Sequence, residues 1–136
     1  MLANFILAAA AAVSSAAQPR ANLQLPIAPG YYIWEEESCA RPGSVFRYDG
    51  RRAGWFGQEP GEGDMVGRIR RVWREGRRWV VQVTGRDAHG DVQDGLIEYY
   101  VTMLGRGRIS ADLLDGEEIP LKRCEASTLP RWGRRF

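Results

Sequence analysis

RRVWREGRRWVVQV, residues 70–83, holds five arginines and two tryptophans in fourteen positions. Interleaved cations and rings suit a single-stranded nucleic-acid groove, where cations track the backbone and bases stack on aromatics. They equally suit a β-hairpin, and register decides between the two. Glu75-Gly76 stands between runs of alternating apolar residues, a strong hairpin signal. With Arg74-Glu75-Gly76 as a three-residue loop, Trp73 faces Arg77, Arg71 faces Trp79 and Ile69 faces Val81. Odd-numbered side chains then share an apolar face made by Ile69, Trp73, Trp79, Val81 and Val83. Arg71 is the misfit on that face, its guanidinium expected across Trp79. The opposite face carries an arginine row, Arg68, Arg70, Arg74 and Arg78, as an anion-facing edge. Rings and cations are thus expected on different faces.

Strand signals continue outward from the hairpin. Runs at 31–36, 45–48, 53–56, 66–74, 78–84, 96–104, 108–114 and 119–124 are separated by Asp49-Gly50, Glu75-Gly76, His89-Gly90, Asp94-Gly95 and Asp115-Gly116. In 96–104, Ile97, Tyr99, Val101 and Met103 share a face opposite Glu98, Tyr100 and Thr102, the period of two expected of a half-buried antiparallel strand. No sustained helical spacing appears in residues 18–136. The fold class is therefore all-β: a small antiparallel meander of about eight short strands with little helix, closing into a barrel or half-barrel because open edges invite aggregation. The domain plan is a segment 1–17, a lead-in 18–30, one β domain 31–124 and a tail 125–136. The tail is expected to be irregular, with Trp132 as a plug.

The apolar run 5–13 followed by Ser15-Ala16-Ala17 reads as a secretory signal peptide cut after Ala17. It is shorter than the roughly 20 residues of a membrane-spanning helix, so no span is expected after cleavage. Export to a periplasmic or extracellular compartment follows, and there Cys39 and Cys124 are expected to form a disulfide. Of 19 basic residues 18 are arginine and Lys122 is the single lysine, yet the formal net charge is only +2. Residues 66–86 carry seven arginines and one glutamate, whereas 87–118 carry eight acids and two arginines. The sheet therefore supplies its own counter-charges. Nucleic-acid binding is not expected, on this balance and on the segregation of rings from cations.

Catalytic constellations are sparse. His89, in the hydrophilic loop DAHGDVQDG, lacks a nucleophile and an orienting carboxylate at readable spacing. Asp87, His89, Asp91 and Asp94 depart from the calcium-loop pattern, and no metal or cofactor is expected. Glu35, Glu36 and Glu37, with Glu98, are the acids for a carboxylate-dependent hydrolase, and Glu117 and Glu118 read as turn residues. The glycine pieces GQEPGEGDMVG and GRGR have no following helix to hold a phosphate. Aromatics crowd the first three strands. Tyr32, Trp34, Tyr48 and Trp55 are the candidate recognition patch, since Tyr, Trp and Arg are enriched at binding hot spots. The leading expectation is a non-enzymatic exported barrel that binds a protein or an anionic envelope component. A hydrolase is the second reading. Carriage of a small apolar ligand is the third, and it requires a hollow barrel.

Overall fold

A computed structural model describes residues 24–60, 64–86, 92–112 and 116–136, the side chains of 86 and 92–95 apart. The segment 1–17 and the His89 loop, with Asp87, Asp91 and the Asp94 side chain, lie outside the described residues. Eight strands follow in order: β1 (Gly30–Trp34), β2 (Val45–Tyr48), β3 (Arg52–Phe56), β4 (Gly67–Glu75), β5 (Arg78–Arg86), β6 (Val92–Gly105), β7 (Arg108–Asp112) and β8 (Glu118–Cys124). Each is antiparallel to the next, and β8 returns to β1 through Tyr31↔Cys124 to Trp34↔Leu121, closing a barrel. The expected meander therefore forms in its closed variant, with β3 and β4 joined only at Arg52↔Arg68 and Ala53↔Gly67.

Large side chains pack the interior. Tyr32, Phe46, Tyr48, Trp55, Val72, Val81, Tyr99, Val101 and Leu121 are among its buried members. Phe46 meets Trp55 and Tyr99 edge-on, with centroids 5.4 and 5.7 Å apart. These aromatic–aromatic contacts contribute about 0.5–1.5 kcal/mol each beyond their burial. Burial pushes the Tyr99 hydroxyl well above its ordinary range, and its proton is donated to the main-chain oxygen of Met65. Leu25 from the lead-in closes one end, its N–H donating to the Tyr48 hydroxyl at 3.0 Å.

The central hairpin departs from its expected register. Its loop is the two residues Gly76 and Arg77, because Glu75 pairs with Arg78, Arg74 with Trp79, Trp73 with Val80 and Val72 with Val81. Between Ile69 and Arg71 the register slips. A bulge of this kind reverses which side chains face inward. Ile69 and Val72 are consequently both buried, while Trp73 and Arg71 turn outward. The expected stacking of Arg71 on Trp79 is replaced by Arg71 over Trp73, 5.0 Å from the ring centroid. Trp79 keeps its inward side and packs against the core.

A second, smaller core lies outside the barrel wall. Ile33, Val45 and Phe56, which alternate with interior residues on β1 to β3, are covered by Leu129, Trp132 and Phe136. The tail is thus ordered rather than irregular. It makes two 3-10 turns, Ala126–Thr128 and Arg131–Arg134, and Trp132 lies against Phe56 outside the barrel instead of plugging it. Arg135 fastens the tail, donating to Asp64 Oδ1 at 2.7 Å and to the Gly57 oxygen at 2.9 Å. At Gly54, φ is +148°, and an added Cβ would stand 2.0 Å from the Met65 oxygen, so only glycine fits beneath the returning 64–66 segment. The expected disulfide is present: Cys39 and Cys124 are joined with 85 residues of separation, beside this outer core.

Candidate binding face and barrel-end crevice

The bulge assembles a surface that alternation alone had divided. Trp73, Val80 and Tyr100 are successive cross-strand neighbours on the outer face of β4, β5 and β6. Val80 is buried between two half-exposed rings. Arg71 stacks on Trp73, and Arg78 stacks on Tyr100 at 4.0 Å. Glu75 Oε1 accepts the Trp73 indole N–H at 3.0 Å and so fixes the ring's orientation. Exposed cation–π contacts of this kind contribute about 0.5–1 kcal/mol each. Their larger effect is to hold rings and guanidinium groups in one conformation before anything binds. Arg68 and Arg70 are exposed beside them on β4.

The expected arginine row is therefore not a row. Arg68, Arg70 and Arg78 remain at the outer surface, but Arg74 pairs with inward-facing Trp79 at the barrel's end. There its Nε donates to the Gly76 oxygen at 2.8 Å. Arg71 takes its place outside. The aromatic patch also dissolves. Tyr32, Tyr48 and Trp55 are 1–2% exposed inside the barrel, and only Trp34 of the four, at 37%, reaches the surface. Each of the three satisfies its polar atom internally: Tyr32 hydroxyl on the Ala28 oxygen, Tyr48 hydroxyl on the Leu25 main chain, and Trp55 Nε1 on the Asp112 oxygen.

The acids expected to act together are engaged in different places. Glu35 is held by Arg108, Glu37 accepts the Gly43 N–H within its own loop at 3.1 Å, and Glu98 accepts from Gln82 Nε2 at 3.3 Å. Glu98 on β6 is separated from the loop after β1 by two intervening strands. A different pair, Asp112 and Glu118, stands in register on β7 and β8. Glu118 is drawn out of its expected turn role and accepts the Thr102 and Ser110 hydroxyls at 2.6 and 3.1 Å. Asp112 is 1% exposed and accepts the Tyr100 N–H at 2.7 Å. Burial raises its pKa, and the Glu118 charge adds to this, against main-chain N–H bonds that lower it. Main-chain N–H groups, those of Tyr100 and Gly116 among them, are the partners of this carboxyl. Among the described residues no cluster of metal-ligating side chains forms.

At the end where the lead-in crosses the barrel, a crevice of about 570 Å³ opens between residues 26–28 and the β6–β7 hairpin. Ile27, Met103 and Ile109 make it apolar, and Arg106, Arg108, Lys122 and Arg123 line the same space. Met103, on the apolar face of its strand, is nonetheless 39% exposed here because the strand runs past the filled interior. Arg106 occupies the left-handed region at φ 56°, between Gly105 and Gly107. Sequence reading missed both surfaces. The misfit Arg71 on an apolar face was the signal for the bulge, since a one-residue slip removes it. For the crevice the signal was an arginine in a turn that favours Asn-Gly. Comparison with family models, curated proteins and solved structures finds no match to this chain.

Proposed function

We propose that this protein is an exported, non-enzymatic binding module whose outer β4–β6 face recognises an acidic protein surface. One observation carries the reading: the slip between Ile69 and Arg71 sets Arg71 and Trp73 on the face that already bears Arg78 and Tyr100. Two rings and two stacked guanidinium groups around a buried valine have the composition of a binding hot spot. Among the described residues no ion pair joins Arg68, Arg70 or Arg71 to a carboxylate, so the face favours a partner that brings acidic groups. The disulfide, and the absence among the described residues of a helix long and apolar enough to cross a membrane, agree with export.

The test is retention of partners from an envelope extract by residues 18–136 and by the double variant Trp73→Ala/Tyr100→Ala. The expected result is an acidic protein held by the wild type, released as salt rises, and bound about ten-fold or more weakly by the folded variant. Equal retention by both forms overturns the reading. So does displacement of the partner by a single-stranded oligonucleotide, which would assign the face to nucleic acid, or turnover of a substrate on a hydrolase panel.

A further inference from the structure

We infer that the barrel-end crevice binds a single-chain amphiphilic anion, an alkyl or acyl chain ending in a phosphate or carboxylate. This site is separate from the outer β4–β6 face and does not depend on its reading. Its volume of about 570 Å³ lies in the range of small-molecule sites, which pair an apolar lining with a few placed polar groups. Ile27, Met103 and Ile109 supply apolar contact for a chain. The Tyr32 ring adds to it, because its hydroxyl is already donated to the Ala28 oxygen.

The charge of the crevice has one sign. Arg106, Arg108, Lys122 and Arg123 line it, and no carboxylate does among the described residues. Two of these cations are engaged elsewhere: Arg108 holds Glu35, and Arg123 reaches the Pro29 oxygen and, at 3.6 Å, exposed Glu125. Arg106 and Lys122 have no ion-pair partner among the described residues. Lys122 is the only lysine of the chain; it pairs in register with Ile33 on the outer side of the wall and meets the crevice at its rim. Arg106 holds φ 56°, a conformation that L side chains other than Asn and Asp rarely adopt. The two-residue Arg106-Gly107 turn requires this φ of its first position, and it sets Arg106 at the mouth of the crevice. Arg106 and Lys122, which make no ion pair among the described residues, stand beside a partly apolar floor and attract an anion, and the floor selects one that carries a chain.

The experiment titrates the protein with dodecyl phosphate below its micelle concentration, by calorimetry and by methyl shifts of Met103 and Ile109. Inorganic phosphate, dodecanol and phosphatidylglycerol vesicles are the comparison probes. Dodecyl phosphate should bind about ten-fold or more tightly than dodecanol, and phosphate alone should give no measurable heat. Arg106→Gly suits the turn's positive φ and removes the charge alone, and Lys122→Met removes charge while keeping chain length. Each should weaken dodecyl phosphate by about ten-fold with the fold intact. Equal affinity for dodecanol, unaltered affinity in both variants, or no binding of the monomer overturns the inference. Binding to vesicles without binding to the monomer also overturns it, in favour of a membrane surface.

Discussion

The indole N–H of Trp55 donates to the main-chain oxygen of Asp112 at 2.7 Å, joining β3 to β7 across the barrel over 57 residues of sequence. Both groups are 1% exposed, so neither has water as an alternative partner. Trp55→Phe keeps an aromatic ring but deletes the donor and part of the volume. The expected cost is roughly 2–4 kcal/mol, from the orphaned acceptor and the void together. A lowered urea midpoint at unchanged slope checks it.

Replacing Cys39 and Cys124 together by serine should destabilise by about 4–5 kcal/mol, the chain-entropy value for a long loop that here spans 85 residues. Denaturation of the wild type with and without reductant should give the same difference. Equality of the two curves would mean that the β1–β8 ladder closes the barrel unaided.

Asp49 and Asp112 pull stability in opposite directions with pH. Burial raises the Asp112 pKa, so over a range above the ordinary carboxylate value the native state keeps a proton that the unfolded chain has lost. Stability therefore falls as pH climbs through that range, and the penalty then persists to neutrality. At Asp49 burial pushes the carboxyl up, but N–H bonds from Arg51 and Arg52 and the charges of Arg52 and Arg47 hold it below its ordinary value. Its contribution is present above the unfolded pKa and is lost as pH falls through the folded one. Urea midpoints measured at about pH 4 and about pH 7 should show wild type gaining on Asp112→Asn at the lower pH. Its advantage over Asp49→Asn should be lost only lower, on going from about pH 4 to about pH 2–3.

Removal of residues 129–136 should uncover the outer core while leaving the barrel's interior packing in place. Phe56 loses both ring partners, Trp132 and Phe136, and Arg47 and Tyr31 lose the Phe136 oxygen they share. Expected outcomes are a lower melting temperature, binding of a hydrophobic dye, and a retained β-sheet circular dichroism spectrum. A truncated chain as stable as the full one would contradict the second core.

Most of the fold was legible because tight turns and period-two alternation are local. The β5 and β6 faces, Trp79 with Val81 and Ile97 with Tyr99, follow directly from spacing. The site was less legible for two physical reasons. Alternation sorts side chains into two sets but does not say which set is inside when both are apolar. In β1, Tyr32 fills the barrel while Ile33 lies under the tail, and both are buried. A bulge, moreover, changes parity with one residue. A three-residue loop and an unbroken strand would turn Trp73 inward, whereas the chain has a two-residue loop and a slip.

The disulfide also fixes how the molecule carries load. Cys39 follows β1 and Cys124 ends β8, and these strands already lie side by side. A pull applied at the two ends of the chain is therefore carried from one cysteine to the other around the barrel rather than through it. Such a pull peels away β1 and the tail but leaves the 85-residue loop, with β2 through most of β8, without tension. While oxidised, the protein behaves as a short tether with a shielded body. Reduction turns the same pull into one that unravels every strand.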